Sequence, residues 1–135
     1  MDFVVTAGGA LVERGRVLLG LRSREKKLAP GKWDIIGGHC EIDETPEQTL
    51  VREFTEEVGV VPRTFFRIAS VDDPRPEAER SYLHHIYLVT EWDGEPANLG
   101  SEHTHIRWFT FSELRTIELS FEGYVELFES NLRPI

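Results

Sequence analysis

An α/β fold, a mixed β-sheet enclosed as an α/β/α sandwich, is the architecture this chain predicts, on three observations. Apolar segments of strand length, broken by turn residues, recur along most of the sequence. One stretch, Pro46 to Val58, has a helical period and both end signals of a helix. The chain closes on two further segments that read as helices.

Taken in order, "FVVTAGGALVERGRVLLGLRS" reads as two β segments, with Arg14-Gly15-Arg16 as the turn between Ala10 to Glu13 and Val17 to Leu21. A loop with a Pro30-Gly31 pair leads to Trp33-Asp34-Ile35-Ile36, a short strand expected to run into a Gly37-Gly38 turn. Thr45 with Gln48 three residues on forms a capping box, and Pro46 suits a first helical turn. The helix should therefore run from Pro46 to Val58 and stop at Gly59. Beyond it, Arg63 to Val71 and Tyr82 to Trp92 are β candidates separated by the polar "DDPRPEAERS", and "HIRWFTF" supplies one more strand. Ser112 to Ile117 and Phe121 to Leu132 read as a short and a longer closing helix. His84 and His85 alternate faces of their strand, and neither receives a role.

The 135 residues, 40% hydrophobic and 29% charged, match one compact domain spanning 1–135. With 15 Lys and Arg against 24 Asp and Glu, the net charge of -9 disfavours non-specific binding to nucleic acid or to an anionic membrane. No segment has the length of a membrane span, and the amino-terminal stretch lacks the pattern of a signal peptide. The single cysteine, Cys40, excludes an intrachain disulfide and agrees with a reducing, cytoplasmic setting.

The chemistry lies in "REFTEEVGV". At 100° per residue, Glu53, Glu56 and Glu57 share one face of the helix, while Leu50, Val51, Phe54 and Val58 share another. Like charges at this spacing cost a few tenths of a kcal/mol per pair in water and more in a cleft. A hard divalent cation with oxygen ligands, Mg²⁺ or Mn²⁺, accounts for the cluster.

Reading forward from Gly38, the positions Gly38, Glu44, Arg52, Glu53, Phe54, Glu56, Glu57, Gly59 and Val60 resemble the Nudix box, with every charged and glycine position met. Phe54 stands where an aliphatic residue is usual, and Ile36 stands where many members have proline. The resemblance implies a Nudix-type fold and Mg²⁺- or Mn²⁺-dependent hydrolysis of a nucleoside diphosphate linked to another group. It also implies Glu53, Glu56 and Glu57 as metal ligands, with the Gly38 carbonyl as a possible further one. Arg52, adjacent to Glu53, is assigned to orienting a carboxylate. Glu44 could pair with Arg52 or favour the helix dipole. The general base stays open among Glu53, Glu56, Glu57 and a later-loop residue.

That loop, "GSEHTHIRW", offers Glu102 as a further metal ligand or base and His103 and His105 as imidazoles, with His105 taken forward as a substrate contact. Arg22, at the end of the second strand, and His39 complete the candidate substrate-binding set. "ETPEQ" and "EWDGEP" resemble the MutT-like branch, which implies a nucleoside triphosphate pyrophosphohydrolase. An ADP-ribose hydrolase (Pro76 lies near a signature offset), a nucleotide-sugar hydrolase and a non-catalytic nucleotide-binding module remain open. So does an isomerase using Cys40. The partner expected is a small nucleotide, and the chain is a monomer or a homodimer.

Overall fold

The structure, a computed structural model, describes residues 2–132. Its elements run β1 (Asp2–Glu13), β2 (Arg16–Arg22), β3 (Trp33–Asp34), β4 (Ile36–His39), α1 (Pro46–Val58), β5 (Val61–Arg75), a 3₁₀ turn (Pro76–Ala78), β6 (Arg80–Asp93), β7 (His103–Thr110), α2 (Phe111–Leu114) and α3 (Tyr124–Leu132). Among the described residues seven strands join into one mixed sheet. Strand β1 is its centre. It pairs parallel with β6 and antiparallel with β2 and β4, while β5 closes one edge on β6 and both β3 and β7 pair with β2.

Alternation along the central strands sends side chains to two separate cores. Ala7, Leu11, Leu18, Tyr87 and Val89 meet Leu50, Phe54 and Val58 of α1 on one face. Ala10, Val17, Leu19, Ile86 and Leu88 meet Leu114, Tyr124 and Phe128 of α2 and α3 on the other. The layering is α/β/α, as the sequence predicts. The capping box is present: Thr45 Oγ1 accepts from the Gln48 backbone at 3.1 Å and Gln48 Oε1 accepts from the Thr45 backbone at 2.9 Å. Gly59 ends the helix at φ 72°, the left-handed conformation in which glycine carries no steric penalty. Phe54 is fully buried on the sheet side, so its departure from an aliphatic residue is absorbed by packing.

Two expected loops are strand instead. The Trp33-to-Ile36 strand divides at Ile35 into β3 and β4, and Gly37-Gly38 is not a turn but the middle of β4, facing Gly8 and Ala7 of β1. A Cβ at Gly37 would collide with the Ala7 carbonyl oxygen and the Gly8 Cα, so the pair of glycines serves backbone approach in extended geometry rather than chain reversal. Asp34 Oδ1 caps the crossover by accepting from the Ile35 backbone at 2.8 Å. Likewise Asp72 to Arg75 of the polar "DDPRPEAERS" continues β5, paired with Leu83 back to Arg80. Asp73 holds it there, bound by Arg75 at 2.9 Å and His84 at 3.0 Å, while Arg75 lies over the Tyr82 ring. The reversal is confined to the 3₁₀ turn and Glu79.

Gly37→Ala should thus destabilise the protein by about 2 kcal/mol or more, since neither strand can yield without losing the β1–β4 ladder. Gly15→Ala, with φ 73° but nothing near its added methyl, should cost about 1 kcal/mol. Urea midpoints of the two variants measure the contrast, and equal losses would refute the close-approach account.

Candidate active site

Helix α1 packs its apolar stripe on β1 and β4, and this seats its acidic face beside Gly38 of β4. The Glu53 carboxylate lies directly on the Gly38 Cα, where any side chain would displace it. Glu57 is buried under Gly100 in the β6–β7 loop, and Glu56 is exposed. The β6–β7 loop is fastened to the helix end. Leu99 and Gly100 donate backbone hydrogen bonds to the Glu57 carbonyl at 2.9 and 3.2 Å, and Ala97 donates to the Val58 carbonyl at 3.0 Å. Carbonyls that a helix C-terminus leaves unpaired are satisfied this way. The same docking brings Glu102, the acid the late loop offers, close enough for its charge to act on Glu53 and Glu57.

Arg52 organises the cluster. It grips Glu44 through Nε at 2.8 Å and a terminal nitrogen at 3.0 Å, reaches Glu53 at 3.0 Å and Glu56 at 3.4 Å, and donates to the His39 carbonyl at 3.1 Å. It thus contacts the carboxylates of Glu44, Glu53 and Glu56 at once. Of the two alternatives for Glu44, pairing is the one present, supplemented by Thr49 Oγ1 at 2.6 Å and the Glu41 backbone at 3.0 Å. The Arg52 hydrogen bond, followed by those from Glu41 and Thr49, pulls the Glu44 carboxyl down to about 2. Burial pushes Glu53 and Glu57 the other way, and the charges of Glu56 and Glu102 reinforce the rise in both.

These acids suit a hard cation. Glu57 Oε2 is buried without a hydrogen-bond partner, and every donor in the cluster is oxygen. Among the described residues no three His, Cys, Asp or Glu side chains are gathered into a finished metal cage. Arg52 holds one oxygen of Glu53, and Lys26 holds Glu102 at 2.5 Å.

A cavity of about 740 Å³ opens beside Glu53. Arg22, Gly38, His39, Glu53 and Glu102, all expected at the site, line it; Glu56, Glu57 and His105 do not. His105 is exposed, with Nδ1 against Thr104 Oγ1 at 3.3 Å: the β2–β7 pairing steps from Leu21–His105 to Arg22–His103, an irregularity that leaves Thr104 unpaired and breaks the alternation that would otherwise put both histidines on one face. His103 points inward instead. It is packed over Gly20 and 6% exposed, its Nδ1 has no partner, and burial holds its imidazole below the usual histidine range. Other lining residues carry no sequence signal. Asp34 accepts from the buried Tyr124 hydroxyl at 2.7 Å and faces Arg22 at 3.4 Å. His84 bridges Thr6 at 2.6 Å and Asp73 at 3.0 Å and stacks on Tyr82. These groups come from β1, β3, β5, β6 and α3, and only the folded sheet makes them neighbours.

A helix whose acids converge behind a glycine-backed strand, beside a nucleotide-sized cavity in an α/β/α sandwich, defines a class. A family model, the NUDIX domain, matches residues 3–128, and the chain belongs to that family. It is 32% identical over 104 residues to the oxidized purine nucleoside triphosphate hydrolase of Danio rerio, covering 77% of this chain and 64% of that protein. It is 34% identical over 84 residues to the 8-oxo-dGTP diphosphatase of Escherichia coli, covering 62% of this chain and 63% of that one. The chain thus spans a little under two thirds of both relatives. Among solved structures, a MutT NUDIX hydrolase from Burkholderia pseudomallei superposes with a TM-score of 0.76 at 26% identity, covering 84% of this chain and 87% of the other. Members of the family generally need divalent metal ions. Among the described residues no helix is long and apolar enough to cross a membrane.

The Glu44–Arg52 pair has a pH signature. Because the folded pKa of Glu44, about 2, lies below its ordinary value of 4.5, the pair stabilises the fold fully above about pH 4.5. That stability is lost as pH falls through about 2. The melting-temperature gap between the unsubstituted chain and Glu44→Gln should therefore be largest at pH 5 to 7 and close near pH 2. A gap independent of pH would show that the ion pair contributes nothing.

Proposed function

We propose that the chain is a divalent-metal-dependent nucleoside triphosphate pyrophosphohydrolase of the MutT-like kind, releasing pyrophosphate and a nucleoside monophosphate. The observation that carries this reading is the buried, unpartnered Glu57 carboxylate oxygen within a cluster of acids beside a cavity lined by Arg22 and Lys26. Burying several carboxylates together is unfavourable unless a cation joins them. The names of the two relatives, a triphosphate hydrolase and a diphosphatase, supply the reaction class.

In this reading Glu53, Glu56, Glu57 and Glu102, with the Gly38 carbonyl, hold Mg²⁺ or Mn²⁺. The ion supplies charge neutralisation at the phosphates and acidifies water. Arg52 keeps Glu53 and Glu56 aimed while tying them to Glu44 and the β4 end. Arg22, braced by the Leu28 carbonyl at 2.9 Å and by Asp34, presents positive charge at the cavity wall. The nucleoside occupies the remainder of the cavity, among Asp34, His84, Tyr82 and Tyr124. The domain acts alone or as a homodimer on a small nucleotide, in the cytoplasm, without a nucleic-acid or membrane partner.

Three substitutions on one helix separate site from scaffold. Glu56→Gln and Glu57→Gln should each lower turnover by at least about 10², equivalent to about 2.7 kcal/mol in the barrier. Glu47 lies off the acidic face, where it accepts from the Tyr87 hydroxyl and from Arg67 and ties α1 to β5 and β6. Glu47→Gln should accordingly leave turnover within a small factor while costing about 0.5–1 kcal/mol of stability at this half-exposed position. Excess EDTA should abolish pyrophosphate release from dGTP and its oxidised forms. Full turnover in EDTA, or unchanged turnover in both acid variants, would remove the metal-site reading.

A further inference from the structure

We propose that Lys26 is a phosphate-contacting residue held in reserve by Glu102, and that a divalent cation releases it by taking over that carboxylate. The inference rests on the hydrolase reading and adds a residue to it. Lys26 belongs to the loop between β2 and β3, whose backbone is pinned back on Arg22 and Ser23: Gly31 donates to the Arg22 carbonyl and Lys26 to the Ser23 carbonyl, each at 3.1 Å. Its ammonium crosses to the β6–β7 loop and meets Glu102 Oε2 at 2.5 Å.

Three cationic side chains line the cavity, and the other two are already committed. Arg22 is braced between Asp34 and the Leu28 carbonyl, and Arg75 is bound to Asp73 over the Tyr82 ring. Among the described residues the Lys26 ammonium has one partner, Glu102. A lysine on a flexible four-carbon stem can exchange such a partner, unlike the two planar, multiply bonded arginines.

Glu102 in turn has two claims on it. Lys26 pulls its carboxyl below the usual glutamate range, yet its charge also acts on Glu53 and Glu57, so it belongs electrostatically to the acid cluster. A divalent cation among Glu53, Glu57 and Glu102 would satisfy the carboxylate and repel the neighbouring ammonium. The freed ammonium then stands at the wall of the cavity that receives the phosphates, where a phosphate oxygen replaces the lost carboxylate. Metal loading and phosphate capture are thereby coupled through one side chain. An ordinary exposed ion pair between the two loops would have neither consequence.

The two halves give opposite signs in one variant. In Lys26→Met, Mn²⁺ binding followed by the loss of the free-ion EPR signal should tighten by about threefold, because the competing cation is gone. Binding of the α,β-methylene analogue of dGTP with Mg²⁺, followed by calorimetry, should weaken by about tenfold or more through loss of a charge-assisted contact. Lys26→Arg should recover most of the analogue affinity. A second pair tests the reserve itself in EDTA: Glu102→Gln should tighten the analogue, and the gain should disappear in the double variant Lys26→Met, Glu102→Gln. Unchanged or weaker Mn²⁺ binding in Lys26→Met, equal analogue binding by both chains, or a gain that survives in the double variant overturns the role of Lys26. If the analogue fails to bind the unsubstituted chain at all, the nucleotide reading fails first and the proposal falls with it.

Discussion

Mutual repulsion among carboxylates on one helical face is the constraint around which this structure is arranged. Glu53 and Glu57 are drawn out of solvent by the packing of α1 on the sheet, and burial works against their charged forms. The fold answers with two cations, one multiply bonded and one held by a single partner. Arg52 joins Glu44, Glu53 and Glu56 from within the helix, and Lys26 reaches Glu102 from a separate loop. What those two cations leave unsatisfied, Glu57 Oε2 above all, is what the proposed metal ion would satisfy.

The scaffold makes the crowding affordable only because it is firmly built elsewhere. Phe54, Leu50 and Val58 are fully buried against β1 and β4, and burying side chains of this size contributes about 1.5–3 kcal/mol each. The helix is closed at both ends, by the Thr45 box and by Gly59, with the β6–β7 loop bound to its last carbonyls. Glu47, in the first turn, anchors the same helix to Tyr87 and Arg67 from off the acidic face. A carboxylate on α1 is therefore either a strut or a member of the acid cluster according to the face it occupies.

Glycine has two distinct uses here. Gly59 serves by its left-handed backbone, whereas Gly37 and Gly38 serve by having no side chain, the first against β1 and the second beneath Glu53. Ile36 in place of proline is consistent with this, since the segment is a paired strand whose residue 36 is opposite Gly9.

The helix, its caps, its apolar stripe and its acidic face could all be read from the chain, because each depends on residues within a turn or two of one another. The same holds for the β1–β2 hairpin and for the Arg52 partners at positions 53 and 56, while the structure decided between the two readings of Glu44. Tertiary structure alone decided that Gly37-Gly38 is strand, since an extended pair of glycines and a tight turn have the same local sequence and differ only in what packs against them. It also decided that His103 rather than His105 faces the cavity, a choice set by the irregularity in the β2–β7 pairing at Thr104. Glu102 meets Lys26 across 76 residues and Asp34 meets Tyr124 across 90, separations at which only the assembled sheet brings two side chains into contact.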